Sequence, residues 1–542
     1  MPLPNLERIE PFLLALLLLV AGLAALAKRL KTPYPIILVI GGLLLGFVPG
    51  IPNFPLNPTA IFLVVLPPLL FSASFLTSWR DFRYNLASIL LLAFGLVGFT
   101  VYGVAVVARW MLPGFDWRTG LVLGAVVCTT DAIAVTSIAE RLGLPRRIAD
   151  VVEGESLVND ASGLLAFEFT VGLLVTGRRP SPGEDIVRLF YLIAGSIVVG
   201  LVVAKLTYWL EKKVDDAPIE ITLTLLAAYF SYLAGVSVHV SGVLSTVVCG
   251  LYLGHQSSMY FSTGARVRSV AVWDTLTFLL NGFVFLRLGL ELPEVLHGMR
   301  GSGLGKMVAL GLMLSGVVIG LRLLWVFPGA RVSYAIRRRF LHQQEAYPSA
   351  ASIFVVGWSG MRGVVALAAA ISLPQFLADG TAFPRRDDII FLTFCVIFVT
   401  LVLQGLSLPW VIRKLGLSRS RGLRDEEILA RKEMVQAATA YLEHAQENDL
   451  KEFAPIYDEL LRRQRLQMYV LEKDPANEGQ RGVNLRRYDD LARQVNAIQR
   501  ATLLHLRNEN QINDEVLRRL ESELDFSEIQ RAQWPTPGEE SE

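Results

Sequence analysis

Thirteen apolar segments follow one another along the first 412 residues of this chain. Each is roughly 20 residues long, which is the length that an α-helix needs to cross the hydrocarbon core of a bilayer. We therefore predict an all-α polytopic protein with about thirteen transmembrane helices in a lipid bilayer. Because further spans follow the first segment, we interpret it as a retained helix and not as a cleaved signal. The segments lie near residues 11–27, 35–49, 60–77, 86–108, 118–139, 148–176, 188–210, 218–236, 239–255, 268–292, 305–328, 348–373 and 388–412.

Charged residues are sparse up to about residue 410 and dense beyond it. This contrast predicts a transmembrane domain over residues 1–415 and a helical cytoplasmic tail over 416–542. We interpret the tail as a solvated helical bundle; regulatory or dimerising contacts of the tail are the alternative. The tail shows helical periodicity over Glu426–Ala445, Glu452–Leu471 and Leu485–Leu506, with a linker at 473–484.

The net charge of +2 gives no reason to expect a nucleic-acid partner. The three cysteines all lie in apolar segments, and their spacing matches neither a metal site nor a disulfide pattern. We expect no cofactor.

The loops that alternate along the chain differ in their content of Lys and Arg. The set that begins after the first segment carries sixteen of these residues, and the N-terminus together with the other set carries ten. Because cytoplasmic loops are enriched in positive charge, we place the first set inside the cell. This predicts an inner (plasma) membrane protein with its N-terminus outside and its C-terminus in the cytoplasm.

Several ionisable residues lie inside the sixth apolar segment, in the run Glu153-Gly154-Glu155-Ser156-Leu157-Val158-Asn159-Asp160. Charged groups at membrane depth are costly and usually mark a functional site. On a helix, Ser156 and Asp160 share one face, and Glu155 and Asn159 share the neighbouring face. A carboxylate holds either a proton or a hard cation, so Asp160 is a candidate exchange site. The alternative is a carboxylate paired for structural reasons.

The fifth segment contains three consecutive polar residues, Thr129, Thr130 and Asp131, at mid-membrane depth. Such a run favours a helix that is unwound at that point and lends hydroxyl and carbonyl oxygens to a cavity. The alternative is that the threonines bond back to their own helix. In the twelfth segment, three glycines surround Arg362 and predict a second broken helix, as in inverted-repeat transporters.

An arginine in one of the late segments is a candidate partner for Glu155. Arg322 lies near the cytoplasmic end of the eleventh segment, close to the predicted depth of Glu155. An unpaired charge there would be costly, so we favour an ion pair between them. Arg362 is the second choice, and the alternative for Arg322 is snorkelling to the inner membrane surface.

Taken together, five motifs resemble the bacterial NhaP-type sodium/proton antiporters, within the monovalent cation:proton antiporter group that includes the animal sodium/proton exchangers. The resemblance covers roughly residues 10–415. The motifs are Thr130-Asp131, the run at 153–160, His239-Val240-Ser241-Gly242-Val243-Leu244, Gly360-Met361-Arg362-Gly363 and Gln404-Gly405-Leu406.

The resemblance implies thirteen spans with inverted repeats, two crossed broken helices, alternating access and a homodimer. Core spans would lie near 86–176 and 305–412, dimerisation spans near 11–77 and 218–292, and a linking span at 188–210. Asp160 would bind the ion and the proton beside Asn159, and Glu155 would form a structural ion pair. The Asn–Asp pair goes with electroneutral exchange in this family. The other ion-site residues would be Ser156, Thr129, Thr130 and Asp131.

Two positions depart from the family pattern. Members often have a proline where this chain has Ala132, and many have an acid where it has Ser72. We therefore expect Na⁺/H⁺ antiport and keep K⁺ or Li⁺ as alternatives. A cation channel gated by the tail is the runner-up from another class. An intramembrane enzyme is disfavoured because Ser156 has no nearby histidine in the sequence.

Overall fold

The computed structural model describes residues 6–48, 61–112, 114–176, 182–298, 304–343, 346–377, 380–417, 422–448, 453–471, 478–509, 511 and 514–532. Helices dominate these residues, and the β-type pairing among them is an isolated bridge between Phe376 and Ala382. The chain divides into two compact units, residues 1–420 and 421–542. The first unit contains the apolar segments, and the second contains the charged tail.

The first half of the larger unit consists of nine α-helices within the described residues. A π-helical turn at Ile61–Val65 precedes the third, and another at Leu91–Leu96 joins the fourth to the fifth. The helices are α1 (Leu6–Arg29), α2 (Tyr34–Gly46), α3 (Leu66–Leu76), α4 (Trp79–Leu90), α5 (Val97–Met111), α6 (Trp117–Val127), α7 (Ile133–Leu142), α8 (Arg146–Thr176) and α9 (Pro182–Glu211).

The second half of this unit adds eight more α-helices within the described residues. A π-helical turn at Thr400–Gln404 joins the last two. The helices are α10 (Ala217–Ser237), α11 (Gly242–Tyr260), α12 (Thr263–Gly298), α13 (Leu304–Phe340), α14 (Ala350–Trp358), α15 (Val364–Ile371), α16 (Arg386–Val399) and α17 (Gly405–Lys414).

The predicted membrane helices are confirmed as helices, because every one of the thirteen windows coincides with helical structure. Two windows are each divided into two short helices by a non-helical break. Residues 128–132, the first break, separate α6 from α7, and residues 359–363, the second break, separate α14 from α15. By length and composition, seven helical segments among the described residues are able to cross a membrane. The total of thirteen spans stays a prediction.

Side-chain caps fix where several of these helices begin. The Asp116 carboxylate accepts a hydrogen bond of 2.8 Å from the N–H of Thr119 at the start of α6. Ser349 caps α14 in the same way through the N–H of Ser352. Caps of this kind satisfy N–H groups that have no partner within the helix. The two helices that lead into the breaks therefore have defined starting points.

Glycine allows α2 and α12 to pack with their backbones in close approach. A Cβ atom on Gly42 would lie 2.2 Å from the carbonyl oxygen of Leu286, and one on Gly289 would lie 2.2 Å from that of Val39. Small residues allow such approach between membrane helices, where dispersion and not water exclusion drives association. Two helices from distant regions of the sequence are thus held together.

The smaller unit consists of four helices within the described residues. Its helices are α18 (Gly422–Asn448), α19 (Ala454–Leu471), α20 (Glu478–Asn508) and α21 (Asp514–Ala532). Polar contacts join α20 to α21, for example Arg500 to Glu528 at 3.0 Å. The predicted linker at 473–484 is wrong from residue 478 onward, because α20 begins at Glu478, and residues 473–477 lie outside the described part of the chain. Glycines at 479 and 482 lie inside this 31-residue helix, where each costs about 1 kcal/mol relative to alanine without ending the helix.

Candidate functional site

The two helix breaks meet and are bonded to each other. The backbone N–H of Asp131 in the first break donates to the carbonyl oxygen of Met361 in the second, at 2.8 Å. The Arg362 guanidinium reaches in the opposite direction, and its Nε donates to the carbonyl oxygen of Val127 at 3.0 Å. Unwinding a helix leaves such groups without their normal partners. Each break therefore provides hydrogen-bond partners for backbone groups at the other.

Helix α8 lies beside the first break and is joined to it through Thr130. The Ser156 hydroxyl donates to the Thr130 carbonyl oxygen at 2.9 Å, and Asn159 Nδ2 donates to Thr130 Oγ1 at 2.9 Å. The same threonine hydroxyl donates to Glu155 Oε1 at 3.3 Å. Thr130 thus bonds across to α8, so the alternative in which its hydroxyl bonds back to its own helix is wrong for this residue.

Glu155 forms a bidentate ion pair with Arg322 from α13. The two guanidinium nitrogens lie 2.5 and 2.7 Å from the carboxylate oxygens, and each side chain is only 1% exposed. Arg322 also donates to the backbone carbonyls of Gly357 and Val356, both at 3.1 Å. Its charge is therefore buried and paired, which contradicts the snorkelling alternative. Of the two arginines considered from the sequence, Arg322 is the one that contacts Glu155.

Arg362 instead bonds to backbone and to a neighbouring helix. Besides Val127, it donates to the carbonyl of Gly360, and its own N–H donates to the Thr400 hydroxyl at 3.1 Å. The Arg322 side chain passes directly over Gly360, where a Cβ atom would lie 2.2 Å from the arginine Cδ and Nε. The glycine in the second break is thus required for the ion pair to fit.

A second glycine allows the first break to approach α8. A Cβ atom on Gly163 would lie 2.3 Å from Cγ2 of Thr129. The hydroxyl of Thr129 is buried and has no hydrogen-bond partner among the described residues. The first break therefore presents one oxygen that the protein itself does not use, next to the face of α8 that carries Asp160.

Asp160 lies on the wall of a cavity of about 460 Å³, together with Ser156 and Thr129 to Asp131 of the first break. No hydrogen bond or ion pair reaches its carboxylate from the residues that the structure describes. Two nearby acids of the site behave differently. Glu155 is fully paired, and Asp131 Oδ1 accepts a bond of 2.8 Å from the N–H of Ile133 at the start of α7.

The opposite wall of the cavity contains polar residues that the sequence reasoning did not select. Tyr34 of α2 and Thr277 and Asn281 of α12 line it, as does Ser72 of α3. Asn281 interrupts a strongly apolar stretch, and this was the available signal, since a polar residue at membrane depth is costly. Ser72 is one of the two departures from the family pattern, and its position on the cavity wall puts that departure at the site.

The oxygen atoms around Asp160 are of the type that a hard monovalent cation prefers. The described residues contain no group of three or more His, Cys, Asp or Glu side chains suited to a tightly held metal ion. The cavity is instead lined by the carboxyl groups of Asp160, Asp131 and Glu153 and by hydroxyl groups that include those of Ser156 and Thr130. Such a set fits a weakly held alkali cation better than a resident transition metal.

Residues 15–414 match the family model described as the transmembrane sodium/hydrogen exchanger. The chain belongs to this family. An uncharacterised Na⁺/H⁺ exchanger of Mycobacterium tuberculosis is 32% identical over 93% of both chains. A Na⁺/H⁺ antiporter of Aphanothece halophytica is 32% identical over 80% of this chain and 81% of its own.

The fold matches a solved antiporter as well. The sodium proton antiporter MjNhaP1 of Methanocaldococcus jannaschii superposes with a TM-score of 0.61 over 77% of this chain and 100% of its own, at 21% identity. The likeness confirms the predicted fold class, a helical membrane antiporter fold. At that identity it says nothing further about the site, which is assigned from the geometry described above.

Proposed function

We propose that this protein is a secondary antiporter that exchanges a monovalent cation for a proton by alternating access, with Asp160 as the exchanging group. The observation that carries the proposal is the contrast between two acids five residues apart on α8. Glu155 is neutralised by Arg322, whereas Asp160 lines the cavity without a cationic partner among the described residues. A charged group at this depth needs a counter-ion, and a transported ion supplies it.

A single carboxylate supports coupled exchange because its two occupants exclude each other. A proton neutralises Asp160 on one side of the membrane, and a cation neutralises it on the other. The neighbouring Asn159 is uncharged and donates to Thr130, so it adds no second negative charge. The site then carries the same net charge with either occupant, which predicts electroneutral exchange of one cation for one proton.

The cation site is built from Asp160, the hydroxyl of Ser156 and oxygens of the first break. Ser156 uses its proton to donate to the Thr130 carbonyl, so its lone pairs remain available to a cation. Thr129 contributes a hydroxyl without a protein partner among the described residues. Asp131 lines the same cavity and adds negative potential, although its Oδ1 accepts a hydrogen bond from the N–H of Ile133 at the start of α7.

Sodium is the cation that the family description favours. A relative from Bacillus subtilis, 32% identical over 70% of this chain and 57% of its own, is named as a sodium, potassium, lithium and rubidium/H⁺ antiporter. Where many members of the family carry an acid, Ser72 gives this cavity a neutral hydroxyl. Fewer anionic ligands favour less strict selection among alkali cations, so K⁺ and Li⁺ belong in the same assay as Na⁺.

The assembly follows the same reasoning from the family. The protein acts as a homodimer in the inner membrane, with its N-terminus outside and its tail in the cytoplasm. The core spans near 86–176 and 305–412 carry both breaks and α8. They move against dimerisation spans near 11–77 and 218–292, and the span at 188–210 links the two. Cross-linking of single cysteines in membranes tests the dimer and the orientation together.

Exchange in proteoliposomes that contain a pH-sensitive dye tests the function. Adding Na⁺ to wild-type vesicles is expected to change the internal pH, at a rate that does not change when an ionophore clamps the membrane voltage at zero. Asp160→Ala is expected to abolish the signal. Glu168→Gln, on an exposed acid two turns further along α8, is the matched control and is expected to keep it.

Two results would overturn the proposal. One is exchange by Asp160→Ala at the wild-type rate, which would remove the carboxylate from the mechanism. The other is a sodium current without proton movement, which would make the protein a channel. Size-exclusion profiles of the variants show whether each has folded.

A further inference from the structure

A second cavity, the basic cavity, lies where the turn between α3 and α4 meets the end of α11 and the start of α12. Its volume is about 410 Å³, and Arg80, His255 and Arg266 are among its lining residues. None of the lining residues that the structure describes is acidic. Leu76 and Thr77 line both this cavity and that of the exchange site, so the two cavities are neighbours. The exchange mechanism gives neither arginine a role.

Close packing of helix ends fixes the walls of the basic cavity. A Cβ atom on Gly254 of α11 would lie 2.1 Å from the carbonyl oxygen of Phe75, so α3 and α11 approach each other closely. The ring centroids of Trp79 and His255 lie 6.5 Å apart, and those of Phe75 and Phe261 lie 6.0 Å apart. The shape of the cavity therefore follows from the packing of three helices.

Arg80 carries a charge that no described residue neutralises. Its side chain is exposed and forms no hydrogen bond or ion pair within the described part of the chain. The acid next to it in sequence, Asp81, instead lies 3.4 Å from Arg146. A guanidinium group presents its N–H donors in a planar fork, which binds an oxyanion through two hydrogen bonds at once. Arg80 is thus available to such a ligand.

Arg266 is bonded to neutral oxygens. Its Nη1 donates to the carbonyl oxygen of Ser258 at 3.3 Å, and its Nη2 donates to the hydroxyl of Thr263 at 3.5 Å. Both distances exceed the usual range for N–H···O bonds, so a charged acceptor replaces these bonds at little cost. No ion pair reaches Arg266 from the residues that the structure describes. The two arginines therefore bring two uncompensated positive charges to one cavity.

The hydroxyl groups of the basic cavity already use their protons. Thr77, Ser257 and Ser269 donate to carbonyl oxygens of their own helices, at 2.7, 2.7 and 3.3 Å. Donation to a ligand therefore falls mainly to the two arginines. Two guanidinium groups in one cavity favour an oxyanion with several acceptor oxygens, which is the chemistry of a phosphate group.

Apolar side chains lie beside these charges. Leu76, Trp79 and Val270 line the basic cavity and are exposed. The counts of Lys and Arg in the loops predict that this turn lies at the cytoplasmic membrane surface, where tryptophan is enriched. Anionic phospholipids present a phosphate group to basic residues at that surface. Soluble phosphate esters present the same group from the cytoplasm.

We propose that the basic cavity is a phosphate-binding site, in which Arg80 and Arg266 hold the phosphate group of an anionic phospholipid or of a soluble phosphate ester. Arg80 lies in the first turn of α4 and Arg266 in the first turn of α12, so the bound phosphate joins two helices that are distant in sequence. The site lies outside the Asp160 cavity and takes no part in binding the transported cation or the proton.

Thermal melting of the full chain in detergent tests the site. Phosphatidylglycerol, phosphatidylcholine and glycerol phosphate are added separately, because a ligand that binds the folded state raises its melting temperature. We expect phosphatidylglycerol to stabilise the wild type more than phosphatidylcholine does. This difference is expected to be lost in Arg80→Gln/Arg266→Gln. It is expected to remain in Arg83→Gln, the matched control, which removes an exposed arginine that does not line the cavity.

Native mass spectrometry measures the affinity for phosphatidylglycerol. Each single variant, Arg80→Gln or Arg266→Gln, is expected to weaken binding about tenfold, the effect of losing one hydrogen bond to a charged group. Arg80→Lys keeps the charge but not the planar fork, so we expect an intermediate affinity. Both arginines are exposed, and circular dichroism shows whether each variant has folded. If the double variant does not fold, the single variants serve the same test.

The source of the phosphate follows from the ligands that stabilise the wild type. Stabilisation by phosphatidylglycerol alone supports a lipid headgroup, and stabilisation by glycerol phosphate as well supports a soluble ester. Two results would overturn the proposal. One is a wild type whose melting neither ligand changes. The other is an equal loss of binding in Arg83→Gln and in the double variant, which would show attraction to the basic surface in general. Neither result depends on whether Asp160 carries out exchange.

Discussion

Removing Arg322 is expected to destabilise the protein strongly, because Glu155 would then be a buried charge with little compensation. The Glu155 side chain is 1% exposed and loses two short bonds, of 2.5 and 2.7 Å. Its remaining donor among the described residues is the Thr130 hydroxyl at 3.3 Å. Breaking a buried pair from one side costs about 3–5 kcal/mol, so we expect Arg322→Ala to lose this much free energy of unfolding.

Replacing Glu155 instead of Arg322 is expected to cost less free energy of unfolding. In Glu155→Gln the arginine keeps an amide oxygen and the two backbone carbonyls that it already contacts, so the loss falls at the lower end of that range. The double variant Glu155→Gln/Arg322→Met removes both charges and is expected to lose less than the sum of the two single variants. The difference between these values measures the ion pair itself.

Equilibrium unfolding in mixed micelles, followed by far-ultraviolet circular dichroism, measures these free energies. Arg338→Ala is the control, because Arg338 is exposed on the same helix, and such surface changes shift stability by about 0.5 kcal/mol or less. The expected loss for Arg322→Ala is about 3–5 kcal/mol. A free energy of unfolding within about 1 kcal/mol of wild type would refute the reasoning about the buried pair.

Two further predictions test the contacts that the two breaks make with α8 and with Arg322. Thr130→Val removes the hydroxyl that bonds to Asn159 and is expected to weaken cation binding and cost about 1–3 kcal/mol of stability, whereas Thr130→Ser keeps the hydroxyl and both properties. Wild-type cation affinity in Thr130→Val would contradict this. Gly360→Ala is expected to displace Arg322 and lower exchange and melting temperature, while Gly320→Ala, where a Cβ atom meets nothing within 4 Å, is expected to leave both intact. Equal behaviour of the two alanine variants in transport and melting would count against the close packing at Gly360.

Much of this fold could be predicted from the sequence, because length and hydropathy are enough to identify membrane helices. The two breaks were also predictable, since Thr129, Thr130 and the glycines around Arg362 are poor residues for an unbroken membrane helix. Depth alone was enough to favour Arg322 over Arg362 as the partner of Glu155. The helices, the breaks and the depth of an arginine are each properties of a single segment, so hydropathy and position within that segment are enough to predict them.

The rest of the site depends on contacts between segments that are distant in sequence. Tyr34 and Asn281 reach the cavity because α2 and α12 pack together, and no local pattern encodes that pairing. The bond from Asp131 to Met361 likewise joins two breaks more than 200 residues apart.

The central claim is that a proton and a cation compete for one carboxylate, and the protons released on cation binding measure this most directly. Purified wild-type protein in weakly buffered detergent solution is titrated with Na⁺ while pH and bound cation are recorded. Because the ligand must be deprotonated, we expect one proton released per Na⁺ bound, and an apparent Kd that rises about tenfold for each unit of pH lowered below the range of Asp160 ionisation. Asp160→Asn is expected to show neither effect. Sodium binding without proton release, or with equal affinity at all pH values, would contradict the account.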